Sequence, residues 1–220
     1  MYFCGTMVKT YLEVNIYRLR RLDAWRGTWS IYIMWEYKMS VKPYLLVVTG
    51  KPGSGKTIFA NKLGNEIFMP VIHRDGIKEG YVHTFGKKHT ELPQESNKIT
   101  TEIFFDTLMG LIDNNISVIA EAAFQHGVWS YMLKSFMEKA RIYLLICKVA
   151  DEVAHHRFIE RGLNNLLREY FHGDKGVDLS ISSYEEPHLN VPTIYIDTTG
   201  KYSPSIKELS KIIFGCCYTS

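Results

Sequence analysis

The segment Gly50-Lys51-Pro52-Gly53-Ser54-Gly55-Lys56-Thr57 matches G-x-x-x-x-G-K-[ST] in full, and it stands between a strand and a helix. Before it runs Tyr44-Leu45-Leu46-Val47-Val48, a continuous β-rich apolar stretch of the kind buried on both faces of a sheet; after it a helical stretch extends from Lys56 to about Ile67. The glycines let the backbone curl so that successive N–H groups point inward, and the following helix offers its positive end to the same anion. In such a loop Lys56 reaches the β- and γ-phosphates of a nucleotide and the Thr57 hydroxyl meets Mg²⁺. All eight residues, Gly50, Lys51, Pro52, Gly53, Ser54, Gly55, Lys56 and Thr57, are therefore nucleotide-binding candidates.

Beyond this unit the chain keeps alternating. Pro70-Val71-Ile72, Val118-Ile119-Ala120, Ile142–Cys147 and Thr193–Ile196 read as four further strands. Between them, Ile99, Ile103, Leu108, Leu111 and Ile112 form one helical stripe, and Trp129, Met132, Leu133, Phe136, Met137 and Ala140 form a cleaner one. Residues 151–161 read as a helix, and Ser203-Pro204 as the N-cap and first position of another with Ile206, Leu209 and Ile213 inward. Residues 76–97 are polar, rich in Gly, His and Lys, and read as a mobile or substrate-facing segment. Strands separated by helices imply an α/β three-layer sandwich with a five-stranded parallel sheet, whose ligands bind at the carboxyl ends of the strands.

Charge divides the chain. Residues 1–42 carry seven Lys and Arg against three acids, whereas the remaining 178 carry 19 against 20. The same 42 residues hold three of the four Trp and no Pro or His, so they read as an atypical basic, aromatic-rich extension ahead of a domain over 43–220. Three origins for it stay open: an extension packing on the sheet or a partner, an address for an anionic surface, or an upstream stretch that is not native, with Met34 or Met39 as the start. The near-neutral body disfavours a nucleic-acid track. No run approaches the roughly 18 apolar residues of a membrane span. Cys4, Cys147, Cys216 and Cys217 show neither metal spacing nor a disulfide framework, which fits a reducing cytoplasm.

The strand ends supply the candidate chemistry. Asp75 follows the second strand and either accepts a proton from an acceptor hydroxyl or caps the turn into Gly76. Glu121 closes the third strand and suits orienting Mg²⁺ or its water shell, although the two acids could exchange roles. Arg157, Arg161 and Arg168 fall within about 40° on a continuous helix at 100° per residue; alternatively Gly162 breaks that helix and leaves 162–176 as a lid delivering Arg168. A solvated basic face partnered by Glu160 and Glu169 is the bland alternative. His73, His83 and His89 read as surface or cleft histidines, and adjacent His155 and His156 point different ways. Lys87-Lys88 reads as a solvated loop.

A guanine-nucleotide switch would need Asn-Lys-x-Asp, and neither Asn61-Lys62 nor Asn97-Lys98 continues so; Asp197-Thr198-Thr199-Gly200 follows the last strand and reads as a turn. A remodelling ATPase would place Asp-Glu where Glu121-Ala122 stands. A small phosphotransferase remains.

Taken together, the Gly50–Thr57 loop, His73-Arg74-Asp75-Gly76-Ile77-Lys78, Val118-Ile119-Ala120-Glu121-Ala122-Ala123-Phe124, and Arg157-x-x-x-Arg161-Gly162 with Arg168 resemble the P-loop kinase group of chloramphenicol phosphotransferase and the zeta toxins, over residues 43–214. The resemblance implies ATP with Mg²⁺, Asp75 as base, and a short lid bearing Arg157 and Arg161 or Arg168. It implies a kinase that moves the γ-phosphate to a hydroxyl of a small molecule, the acceptor left open by residues 76–97. A polynucleotide or toxin-like nucleotide-sugar kinase is the second reading, and a non-catalytic ATP-binding regulatory module the third. Oligomeric state is not legible.

Overall fold

In β1 (Tyr44–Thr49), Leu45 and Val47 point to one face while Leu46 and Val48 point to the other, and all four are fully buried. A strand apolar on both faces must be covered on both, which makes this run the centre of the molecule. The computed structural model describes residues 41–165, 167–172 and 184–215; the reading of residues 1–42 as an extension thus falls almost wholly outside the described residues.

Around β1 lie β2 (Val71–His73), β3 (Val118–Glu121), β4 (Arg141–Lys148) and β5 (Thr193–Asp197), in the order β2-β3-β1-β4-β5 with every pairing parallel. Seven α-helices complete the described residues: α1 (Lys56–Ile67), α2 (Arg74–Phe85), α3 (Ser96–Asp113), α4 (His126–Met132), α5 (Asp151–Asn164), α6 (Leu167–His172) and α7 (Ile206–Phe214). The five-stranded parallel sandwich expected from the alternation is the fold observed. One layer packs Phe104, Phe105 and Leu108 of α3 and Trp129 of α4 against Leu45, Val47, Val118 and Leu144. The other packs Phe59 and Leu63 of α1 and Leu209 of α7 against Leu46, Val48, Ile119 and Leu145.

The structure departs from the periodicity in four places, each for a physical reason. The stripe over 129–140 is not one helix: α4 stops at Met132 and a 3₁₀ turn, Leu133–Phe136, continues it. Trp129, Leu133, Phe136 and Ala140 are nevertheless all buried, because spacings of three and four serve a 3₁₀ turn as well as an α-helix. On α3 the buried face is Thr100, Phe104, Phe105, Leu108 and Ile112, leaving Ile99 and Ile103 36% and 40% exposed. The two phenylalanines claim the interior, and Thr100 can join them because its hydroxyl donates to the Ser96 carbonyl at 2.8 Å.

Residues 76–85, the first part of the segment read as mobile or substrate-facing, lie in α2, held by burial of Val82 and Lys78 rather than by helix propensity. Finally, α7 is capped by Ser205, not Ser203. The Ser205 hydroxyl accepts from the Glu208 N–H at 3.3 Å while Glu208 accepts from the Ser205 N–H at 2.8 Å. Ser203 is committed instead to the end of β5, where its carbonyl accepts from the Asp197 N–H at 2.8 Å.

Trp129 joins core to site. It packs edge-on to Phe105 and Phe124 with centroids 5.6 and 5.3 Å away, and its indole N–H donates to the Thr49 hydroxyl at 3.2 Å. Trp129→Ala is expected to cost about 3–5 kcal/mol, lowering the thermal midpoint on the order of 10 °C in a scanning calorimetry comparison.

Candidate active site

Gly50, Gly53 and Gly55 each take a positive φ, at 148°, 78° and 78°. The loop they make is tight: a Cβ on Gly53 would stand 2.0 Å from the Ala154 carbonyl oxygen, and one on Gly50 2.6 Å from that of Cys147. The helix behind the loop begins without any side-chain cap, and the buried Ser54 hydroxyl has no hydrogen-bond partner among the described residues. An uncapped helix start behind a glycine cradle, with an orphaned hydroxyl inside it, fits the phosphates of a nucleotide.

Three contacts hold the loop from outside. Lys51 pairs with Asp151 at the start of α5. The Thr198 hydroxyl donates its proton to the Ser54 carbonyl at 2.6 Å. Arg157 donates from Nη2 to the Thr198 and Thr199 carbonyls, both at 3.0 Å, and its Nη1 lies 3.7 Å from where a Gly55 Cβ would be. Thr198 belongs to the segment read as a turn; that reading holds locally, since Thr199 N–H donates to Asp197 Oδ1 at 2.8 Å. Its hold on the loop spans 144 residues and leaves no local signal.

The carboxyl ends of β1, β2 and β3 bring the candidate acids to the loop. Glu121 is buried; its Oε1 accepts from the Thr57 hydroxyl at 3.2 Å and its Oε2 meets His73 Nδ1 at 2.8 Å. His73 Nε2 lies 2.9 Å from Asn61 Oδ1, so both ring nitrogens are occupied and the ring orients Glu121. Lys56 is also buried. Burial lowers its ammonium below the ordinary value, opposed by the charges of Glu121 and Asp75 and reinforced by Arg161.

Asp75 is the second residue of α2, not a loop residue, and its side chain is 57% exposed with Oδ1 3.6 Å from Arg74 Nη1. Desolvation pushes its carboxyl up, but the positive charges of His172, Lys56, Arg74 and Arg168 together outweigh this and hold it below the usual value. The Cys147 thiol, pushed up to about 12 by burial, is an inert core group rather than a nucleophile.

Gly162 does not break the arginine-bearing helix. α5 runs through it to Asn164, and the turn comes at Asn165, whose Oδ1 accepts from the Leu167 N–H at 3.1 Å to start α6. Arg157 and Arg161 thus sit on α5 and Arg168 on α6. That short helix lies over α2: His172 Nε2 is 2.8 Å from Glu79 Oε1, and the His83 and Phe171 ring centroids are 4.7 Å apart. His83 and His172 were not separable from surface histidines by spacing.

A parallel sheet with a phosphate loop after its central strand, and charged residues gathered at the same carboxyl ends, defines a P-loop kinase-like α/β protein. Residues 45–186 match the AAA domain family AAA_33, and the chain belongs to that family. No curated protein matches in sequence. Among solved structures it is similar to a candidate kinase of Chloroflexus aurantiacus, with TM-score 0.63 and 19% identity over 79% of this chain and 97% of that one. It is also similar to a sugar kinase of Janibacter, with TM-score 0.54 and 16% identity over 81% and 99%. A third is the APS kinase of Mycobacterium tuberculosis in complex with AMPPNP and APS, with TM-score 0.53 and 13% identity over 78% and 95%. At these identities the likeness is one of fold.

Proposed function

We propose that this chain is an ATP-dependent kinase that transfers the γ-phosphate to a hydroxyl of a small molecule. One observation carries the reading: Lys56, in the phosphate loop, sits where the charges of both Glu121 and Asp75 reach it. A phosphate loop and two carboxylates near its lysine support one role in holding metal and one in taking a proton. Two proteins of similar fold, a sugar kinase and an APS kinase in complex with AMPPNP and APS, support a small-molecule acceptor.

In this reading the backbone of Gly50–Thr57 cradles the phosphates. Lys56, Arg157 and Arg161 offset the charge that develops on the transferring group, and Arg168 comes to the nucleotide from α6. Thr57 and Glu121 would hold or orient Mg²⁺. No cluster of three or more His, Cys, Asp or Glu is present among the described residues, which suits an ion arriving with the nucleotide. The ion's contribution when bound is to draw charge from the phosphate oxygens. As the acceptor oxygen bonds to phosphorus, its proton passes to the Asp75 carboxylate and the bond to the β-phosphate oxygen breaks, releasing ADP.

The pH dependence follows from the sign of the Asp75 shift. A carboxyl held below the usual value stays ionised at every pH above it, so kcat/KM has no acid limb near pH 6 and falls only as pH drops below about 4, the free Asp value. A limb near neutrality in the pH–rate profile would remove Asp75 as the base. By linkage the same shift stabilises the fold above the unfolded value and loses that contribution as pH falls through the folded one.

The domain is proposed to run from residue 43, with residues 1–42 dispensable to it. A chain beginning at Met39 is expected to fold and bind ATP with unchanged affinity; insolubility would make the extension structural.

A further inference from the structure

An open groove of about 520 Å³ is lined by Arg74, the neighbour of Asp75, and by Asn97, Thr101, Val128, Tyr131 and Met132 among others. It is formed by the starts of α2 and α3 together with α4, and none of its lining residues belongs to the phosphate loop. Its character is split. Val128 and Tyr131 are 36% and 72% exposed, an apolar and aromatic wall, while the opposite side carries one largely buried guanidinium.

Arg74 is only 14% exposed along its side chain. Its Nη2 donates to the Asn97 carbonyl and Oδ1 at 3.3 and 3.2 Å, and its Nη1 lies 3.6 Å from Asp75, beyond a full hydrogen bond. The buried Nε has no hydrogen-bond partner among the described residues. A guanidinium offers five N–H donors in a planar fork, so this one is oriented by Asn97 and retains donors to give. The other charges at the groove, Lys98 and Glu102, pair with each other at 3.8 Å and leave Arg74 as the fixed cation.

Resting on the kinase reading above, we infer that Arg74 is a specificity-determining residue and that the acceptor carries an oxyanion, a carboxylate or phosphate ester, a few atoms from the hydroxyl that is phosphorylated. The oxyanion takes the free donors of Arg74 and an apolar portion lies on Val128, Tyr131 and Met132. Because Arg74 Nη1 lies 3.6 Å from Asp75 Oδ1, an anion seated on the first brings a neighbouring hydroxyl to the second.

The test is calorimetric titration of the full chain, saturated with Mg·ADP, with matched probes: glycerate and tropate against their methyl esters, and glycerol 2-phosphate against glycerol. The expected result is that at least one anion binds tenfold or more tightly than its neutral partner. Arg74→Gln should erase that difference and Arg74→Lys retain part of it, both with unchanged ADP affinity and melting temperature. The carboxylate and phosphate arms tell the two oxyanions apart, and tropate over glycerate reads the apolar wall. Equal binding of every pair, or a difference that survives Arg74→Gln, overturns the inference. If the difference holds but no probe or metabolite extract takes label from [γ-³²P]ATP, the kinase reading fails and the groove stands. Neutral alcohols phosphorylated as efficiently as their anionic counterparts, with Arg74→Gln changing neither rate, would sink the groove and leave the kinase.

Discussion

Replacing Asp75 with Asn is expected to lower phosphoryl transfer by about 10²–10⁴-fold, the range contributed by a positioned general base, while leaving ATP affinity within a few-fold. The amide keeps the size and hydrogen-bonding capacity of the side chain but cannot take the acceptor proton. Because the wild-type side chain is 57% exposed and its ion pair with Arg74 is long at 3.6 Å, the exchange removes little from the fold. Melting temperature is therefore expected to stay put as turnover collapses. Steady-state kinetics with nucleotide titration separates the two quantities. Transfer that survives in Asp75→Asn passes the base role to Glu121, the other acid near Lys56.

The second large effect is expected at Gly53. Its φ of 78° costs any L-residue roughly 1–2 kcal/mol, and an alanine Cβ would overlap the Ala154 carbonyl oxygen at 2.0 Å, a backbone atom inside α5 that cannot rotate away. The loop must move by an ångström or more, and a displacement of that size at a positioning element costs on the order of a hundredfold. Gly53→Ala should weaken ATP binding by about that factor. Gly86→Ala is the control: its φ of 61° is strained as well, but nothing lies within 4 Å of the added carbon, so a small stability loss with normal ATP binding is expected. Equal ATP affinity for wild type and Gly53→Ala would mean that the loop does not hold the nucleotide.

The fold was legible because its signals are local and redundant. The β1 run is apolar at every position, its loop has fixed spacing, and burial of Leu45 through Val48 on alternating faces is what such a run demands. The helices were less so. α2 contains Gly76 and Gly80 and little apolar content, and it exists because Val82 and Lys78 pack inward, which no local preference announces. Phe104 and Phe105 turned α3 through competition for the core, a tertiary effect. At the site, the strand-end rule points to Asp75 and Glu121, the two acids whose charges act on Lys56. What it could not locate were groups whose meaning is a contact: Thr198 on the Ser54 carbonyl, His73 against Glu121, Trp129 on Thr49, and His172 against Glu79. Each joins segments from 48 to 144 residues apart, and a single polar residue carries no trace of its distant partner.

The measurement that bears most directly on the kinase assignment is transfer from [γ-³²P]ATP to a fractionated pool of small metabolites by the full chain, with Asp75→Asn in parallel. The assignment predicts acid-stable label in a small phosphomonoester, released by alkaline phosphatase, formed with ADP in equal amount and absent in Asp75→Asn. ATP that binds normally but yields no labelled ester from any fraction would contradict it and leave a nucleotide-binding module that does not transfer phosphate.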